Sequence, residues 1–278
     1  MMFGAKKHKT SLRLVVAVNQ VDKMIPNGWD ERLNMPNEQA AREISIKCND
    51  IAKKLASYGV ITIDQIEYYS ALKRYRLLPL LAKIIGNAYA GFKLDNVEPA
   101  DPFDLADPEV KAFVDEQRRE RDQINPKTNE DVKKQLFQQM RKFLSKDDLN
   151  LVLSKLRNES SRPPKIAIFG KSGVGKTTTI NSLFNAKWKT SHTIEGTTSA
   201  QMRSFSLSTG GTLDVVDLPG YGRSTTQDEE YDKIYQEFIP TCDLVLLIVQ
   251  ANSRDLADDQ EMILKVFEWL KNSPIPSR

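Results

Sequence analysis

The chain has 278 residues, room for one large domain with an appendage or for two modest domains. Hydrophobic residues make up 40% and charged residues 28%, and the formal net charge is only +3. That is the composition of an ordinary globular protein, and its charge does not point to a nucleic-acid binder; no DNA partner is expected. No apolar run approaches the roughly 20 residues of a bilayer-spanning helix, and the basic start is followed by no small-residue cleavage site. The expectation is a cytoplasmic protein without a membrane partner. Its two cysteines, Cys48 and Cys242, sit in apolar patterns and read as buried thiols in a reducing compartment.

In chain order, Leu12–Val18 is a continuous apolar run, the pattern of a strand buried on both faces of a parallel sheet. Pro36 to Ser57 reads as a helix, with Ala41, Ile44, Cys48, Ile51 and Leu55 at three- and four-residue steps and Gly59 as a stop. Ile66–Tyr69 fits a short strand and Leu77–Ile85 an apolar helix whose start Pro79 limits. Residues 99–164 open on a stretch with three prolines and no periodicity, PADPFDLADPEV, followed by helical patterns around Asp131–Leu144 and Lys146–Leu156. Acidic and basic residues balance there, which suggests a helical linker or satellite, closed by SSRPP. Then come strand Lys165–Phe169, helix Lys176–Phe184, a hairpin of Gln201–Leu207 and Leu213–Leu218 around TGGT, helix Glu229–Ile239, strand Leu244–Val249 and helix Asp258–Leu270. Alternating strands and helices predict an α/β fold with a doubly wound, mostly parallel sheet. The expected division is 1–98, 99–164 and 165–278.

GKSGVGKT at 170–177 fits the phosphate-loop pattern G-x-x-x-x-G-K-[ST], with a strand before it and a helix after it. In such a loop the backbone N–H groups of Gly170, Lys171, Ser172, Gly173, Val174 and Gly175 turn inward around phosphates, and the helix N-terminus adds positive potential. Lys176 then reaches the β- and γ-phosphates, Thr177 ligates Mg²⁺, and Thr178 completes the phosphate-binding turn. A chance glycine-rich turn is the bland alternative, and the flanking strand and helix argue against it.

DLPG at 217–220 ends the strand LDVVDL, where Asp217 can hold a Mg²⁺ shell and Gly220 can offer its N–H to a γ-phosphate. Taken alone, it is an ordinary turn. Between the two motifs lies SHTIEGTTSAQ, where Thr198 is the candidate to close over Mg²⁺ and the γ-phosphate. An ordinary polar loop is the alternative, with His192 a solvated side chain. Lys176, Thr198 and Gly220 are the candidate catalytic set, and Thr177, Thr198 and Asp217 the candidate metal set.

NQVD at 19–22 follows the first apolar run. Asp22 can accept from the N1–H and amine of guanine; adenine lacks that donor pair and would leave the carboxylate unpaired. Asn19 can contact the base edge and brace the phosphate loop, beside Gln20. SAL, the residues Ser70, Ala71 and Leu72, follows IEYY, and the Ala71 N–H is a candidate partner for guanine O6. A helix N-cap at Ser70 fits that segment equally well.

GKSGVGKT, GTT, DLPG, NQVD and SA, with the strands around them, resemble the Era-like GTPases of the translation-factor-related class; NQVDKMIPNGWD and DLPGYGRS are similar to a bacterial branch of ribosome-binding GTPases. The resemblance implies a P-loop G domain that binds guanine nucleotide with Mg²⁺ and hydrolyses GTP. It also implies a ribosomal RNA or protein partner. Gln20 and Leu72 stand where lysines are usual, Gly173 where potassium-activated relatives have asparagine, and Tyr221 where some GTPases place a water-orienting glutamine. The last two imply slow hydrolysis that needs a partner.

The motif order departs from an ordinary G domain, because NQVD precedes the phosphate loop by some 150 residues and SAL by some 100. That order resembles the circularly permuted GTPases. A linker of roughly 65 residues, at about 3.3 Å each, can rejoin the old termini. A fragment of two tandem G domains, or two chains completing each other head to tail, would give the same order. For function, a slow GTP-hydrolysing switch stands first. Beside it stand a nucleotide-gated ribosome- or RNA-binding module with negligible turnover and a dynamin-like membrane GTPase.

Overall fold

The computed structural model describes residues 13–24, 28–87, 101–124, 141–142, 145–146, 149–150, 164–184, 200–206, 212–222, 225–253 and 255–271. Along the chain the strands are β1 (Leu14–Asn19), β2 (Trp29–Asp30), β3 (Met35–Pro36), β4 (Ile66–Tyr68), β5 (Lys165–Phe169), β6 (Gln201–Ser206), β7 (Thr212–Asp217) and β8 (Leu244–Gln250). The α-helices are α1 (Glu38–Leu55), α2 (Leu77–Asn87), α3 (Pro108–Ile124), α4 (Lys176–Phe184), α5 (Thr225–Phe238) and α6 (Ala257–Lys271).

Six strands form one sheet in the order β4-β1-β8-β5-β7-β6. All neighbours are parallel except β6, which runs antiparallel to β7. This is the α/β sheet that the alternation of elements predicted. Strand β8 lies in the middle, with β1 on one side (Leu14 opposite Val245, Asn19 opposite Gln250) and β5 on the other (Ile166 opposite Leu244). Strands from the two ends of the sequence thus share one sheet.

Burial explains that arrangement. Side chains alternate across a strand, and each face of this sheet has its own core. Leu14, Val16 and Val18 of β1 join Val245, Leu247 and Val249 of β8 on one face, beneath Ile44, Cys48 and Leu55 of α1, Tyr235 of α5 and Met262, Ile263 and Val266 of α6. Val15 and Ala17 join Leu244, Leu246 and Ile248 on the other, beneath Leu80, Leu81, Ile84 and Ile85 of α2 and Ile180 and Leu183 of α4. Strands apolar on both faces need helices on both faces, and each face draws helices from both parts of the chain.

Helix boundaries follow local chemistry. Asn37 caps α1 by accepting from the Ala40 N–H at 2.8 Å, and Gly59 has the left-handed backbone that ends the following turn. Pro79 lies in the first turn of α2, where its missing N–H has no helical partner to lose. Helix α5 begins at Thr225, four residues before the position expected from Glu229.

Helix α3 and the β2–β3 pair were not anticipated. The prolines at 102 and 108 do not break structure there. Each begins a helical turn behind an aspartate: Asp101 accepts from the Phe103 N–H at 3.0 Å and Asp107 from the Glu109 N–H at 3.1 Å. This segment is tied to the loops after β2 and β4 through Asn34 to Pro102, Arg74 to Asp101 and Asp104, and Asp107 N–H to Arg32 O. The helices expected around Asp131–Leu144 and Lys146–Leu156 fall almost wholly outside the described residues.

Candidate functional site

The candidate residues gather where the parallel strands end. Asn19 closes β1, Ser70 and Ala71 follow β4, Gly170 follows β5, Asp217 closes β7 and Gln250 closes β8. In an open α/β sheet the carboxyl ends of the strands form the ligand-binding crevice.

Asn19 is the joint of this site. Its side-chain amide donates to the Val174 carbonyl at 2.7 Å, and its carbonyl oxygen accepts from the Ala71 N–H at 2.9 Å. One buried side chain therefore connects the phosphate-loop segment with the segment after β4. The Ala71 N–H, expected from the sequence to face guanine O6, is directed at Asn19. Ser70 caps the turn that follows, accepting from the Lys73 N–H at 3.1 Å, while α2 starts only at Leu77. Leu72 points outward, 62% exposed.

Gln20 has a left-handed backbone (φ 67°) that turns its amide back over the phosphate-loop segment. Its Nε2 donates to the Gly173 carbonyl at 2.9 Å, and its Oε1 accepts from Gln250 at 2.9 Å and Lys23 at 3.0 Å. An amide at this position still braces the loop, and Lys23 brings a cation beside it. Asp22 is half-buried, and its Oδ1 is buried with no hydrogen-bond partner among the described residues. A buried carboxylate oxygen in that state is costly unless a donor arrives from outside the chain.

The glycine segment after β5 is shaped by close approaches. Gly175 has φ +91°, and a Cβ there would stand 2.6 Å from the Asn19 amide nitrogen. A Cβ on Gly220 would stand 3.1 Å from both the Gly170 carbonyl oxygen and the Ser172 nitrogen, and 3.2 Å from Lys176 Nζ. DLPG thus lies against the glycine segment, in line with the pairing of Asp217 with Ile168 and the Leu218 N–H bond to Ile168 O at 3.1 Å. Lys176 Nζ donates to the Gly170 and Lys171 carbonyls at 3.0 and 3.2 Å. Ser172 and Gly173 are exposed; Thr177 and Thr178 are half-buried in the first turn of α4. The Thr177 hydroxyl and Asp217 carboxylate are hard oxygen donors of the type Mg²⁺ takes, alongside water and phosphate. Thr198, the expected third ligand, and His192 lie outside the described residues.

Several side chains of the site were not singled out from the sequence. Tyr69, fully buried, shares a 2.6 Å hydrogen bond with Thr179, which donates to the Gly175 carbonyl at 2.8 Å. Ser182 donates to the Ala71 carbonyl at 2.8 Å. Both tie α4 to the segment after β4, and nothing in local spacing marks them, because their partners lie 110 and 111 residues away. Gln250 did carry a signal: it is a lone amide ending an apolar run, opposite Asn19 in the sheet.

A third group sits behind DLPG. Tyr221, 3% exposed, donates its hydroxyl to Asp259 Oδ1 at 2.6 Å. Lys171 Nζ lies 3.0 Å from Asp258 and 3.4 Å from Asp259. Burial pushes the Asp259 carboxyl above its usual range, against the Tyr221 hydroxyl and Lys171 ammonium, which pull it down. Burial and the neighbouring Asp259 charge push Tyr221 well above its ordinary value. Burial works against the Lys171 ammonium, but the hydrogen bond to Asp258 and the Asp259 charge outweigh it, and its pKa is raised.

The two cysteines are free and buried, with thiols pushed by burial to about 12 for Cys48 and about 11 for Cys242. Among the described residues, no helix is long and apolar enough to cross a membrane.

Residues 165–276 match the model of a family described as 50S ribosome-binding GTPase. The chain is also similar to two Escherichia coli (strain K12) proteins named uncharacterized protein YfjP and uncharacterized protein YkfA. It is 34% identical to each over 116 residues, covering 41% of this chain and 40% of each relative. The chain thus matches less than half the length of these curated relatives. The six-stranded, mostly parallel sheet is consistent with a P-loop GTPase domain, to which the match over residues 165–276 also points.

Proposed function

We propose that this chain is a guanine-nucleotide switch that hydrolyses GTP slowly with Mg²⁺ in a single, circularly permuted G domain of Era-like type. The observation that carries the reading is the pair of hydrogen bonds made by the Asn19 side chain, one donated to the Val174 carbonyl and one accepted from the Ala71 N–H. It joins three loops, two of them some 150 residues apart, into one site. Beside it stands the buried Oδ1 of Asp22, which has no hydrogen-bond partner among the described residues and is ready for a donor.

In this reading the N–H groups of residues 170–178 cradle the phosphates, and Lys176 exchanges its carbonyl partners for the β- and γ-phosphates. Thr177, Asp217 and Thr198 hold Mg²⁺, which neutralises phosphate charge. Gly220 offers its N–H to the γ-phosphate. Asp22 selects guanine, Gln20 flanks the base, and Ser70, Ala71 and Leu72 border it. Slow turnover is favoured by Tyr221, whose hydroxyl is engaged with buried Asp259 and does not replace a water-orienting glutamine. A ribosomal partner is supported by the match of residues 165–276 to a family of 50S ribosome-binding GTPases.

The test is titration of the chain with GDP and ADP, with Asp22→Asn as the variant. The wild type should bind GDP far more tightly. Asp22→Asn should lose roughly 10-fold or more for GDP, from ~1.5–3 kcal/mol for a hydrogen bond to a charged group, and should favour xanthosine diphosphate. Equal affinity of the wild type for GDP and ADP would sink the reading. Single-turnover GTP hydrolysis with and without ribosomes would test the partner.

A further inference from the structure

Tyr221, Asp259 and Lys171 connect three separate parts of the site, and no motif accounts for them together. Lys171 is the second residue of the glycine segment. Tyr221 directly follows Gly220. Asp259 lies in the first turn of α6, 1% exposed.

Their contacts close a ring. Lys176 Nζ donates to the carbonyl of Lys171. The Lys171 side chain reaches Asp258 and Asp259. Asp259 accepts from Tyr221. Tyr221 is bonded to Gly220, whose Cα faces Lys176 Nζ so closely that a Cβ would stand 3.2 Å from it. The next residue, Gly222, packs on the aliphatic stem of Lys171, with room for a Cβ at 3.7 Å from its Cε. The Tyr221 ring is held on its other side by Phe169 at the end of β5, with centroids 6.1 Å apart.

The ring is stiff for a physical reason. A carboxylate this deeply buried is costly without donors, so Asp259 holds both Tyr221 and Lys171 in place. A phenol held at its hydroxyl and packed on its ring fixes the backbone that carries it. Gly220, its neighbour, has no side chain of its own to set its position.

We infer that Lys171, Asp259 and Tyr221 are positioning residues that set where Gly220 stands relative to the phosphate loop, and so set the discrimination of GTP from GDP. The inference rests on the guanine-nucleotide reading above and deepens it. Lys176 and Gly220, the two groups nearest a γ-phosphate in that reading, are the ends of the ring. A nucleotide that moves Lys176 off the Lys171 carbonyl loads the Lys171–Asp259–Tyr221 connection, and that load returns to Gly220. GDP also moves Lys176, through its β-phosphate, but it has no γ-phosphate to meet Gly220, so the position of Gly220 does not enter its affinity.

The test compares affinities for GDP and a non-hydrolysable GTP analogue in the wild type, Tyr221→Phe and Asp259→Asn, with Mg²⁺ present and melting temperatures alongside. Tyr221→Phe keeps the ring and removes only the hydroxyl. It should reduce analogue affinity about 5- to 10-fold and leave GDP affinity within about twofold, on the scale of one charge-assisted hydrogen bond. Asp259→Asn should act in the same direction, and the double variant should be no worse than the stronger single one. A lowered melting temperature with both affinities unchanged would make the cluster merely structural and overturn the inference. So would an equal loss for both nucleotides. If Asp259→Asn does not fold, Tyr221→Phe decides alone. A wild type that binds neither nucleotide overturns the guanine-nucleotide reading and this inference with it. A wild type that binds both, beside a Tyr221→Phe protein with the same analogue-to-GDP ratio, overturns this inference alone.

Discussion

A single methyl group tests how tightly the site is built. Gly175 combines a left-handed backbone with a Cβ position 2.6 Å from the Asn19 amide nitrogen. Gly59 shares the left-handed backbone (φ +72°), but a Cβ there would meet nothing within 4 Å. Both substitutions to alanine incur the conformational cost, roughly 1 kcal/mol or more. Only Gly175→Ala must also push Asn19 away from Val174 or Ala71. Gly175→Ala is expected to lose at least 10-fold in GDP affinity, while Gly59→Ala lowers the melting temperature and leaves affinity unchanged. Isothermal titration beside thermal melts checks both, and matching affinities would mean that Asn19 is not the joint of the site. At this scale much of the site was legible. Asn19 was expected to contact a base edge and to brace the phosphate loop, and its bond to the Val174 carbonyl is the second of these. The opposite result at Ala71, whose N–H meets Asn19, was not legible, since it depends on how close two distant loops come. Tyr69 and Ser182 were hidden for the same reason.

At the scale of elements, hydrophobic period carried the reading, and it failed where burial is slight. Strands β5 and β8 and helices α1 and α4 came out within a residue or two of their expected bounds. Each has one or two faces in a core, and a buried face writes its period into the sequence. Helix α3 was missed because it is rich in charge (VKAFVDEQRRERDQI) and begins in a proline-containing stretch without apolar period. Its signal was a cap and not a period: Asp107 before Pro108, with the aspartate side chain on the Glu109 N–H. Such a helix leans heavily on its cap, because little core packing supports it. Asp107→Ala should remove about 1 kcal/mol of local stability, read as faster amide exchange across the first turns of α3, with GDP affinity unchanged. The same change at Asn37, which caps the well-buried α1, should appear as a global shift in melting temperature. If α3 exchange is unaffected in Asp107→Ala, tertiary contacts and not the cap hold that helix.

For the whole molecule, the decisive contact is the seam between β1 and β8. Leu14, Val15, Val16, Ala17 and Val18 are fully buried, with β4 from the amino-terminal part on one side and β8 from the carboxy-terminal part on the other. Exposing those side chains would cost on the order of 10 kcal/mol at ~1.5–3 kcal/mol for each large one. That is comparable with the whole stability of a domain, ~5–15 kcal/mol, so neither part can stand with the seam open. The motif order allowed three ways to close it: one chain upon itself, two chains head to tail, or a fragment awaiting its missing neighbours. In this structure β1 and β8 pair within one chain, the geometry that the first of these requires. The roughly 65 residues between the two parts keep them together at an effective concentration of order a millimolar or a little below, so self-closure should prevail over pairing at micromolar protein. The expected outcome is a monomer that binds one GDP with an affinity independent of protein concentration, from nanomolar to tens of micromolar, measured with a fluorescent GDP. A head-to-tail pair would behave differently: with each site shared between two chains, apparent affinity would weaken steeply once dilution fell below the pairing constant. Light scattering on the GDP-bound protein would then report twice the chain mass.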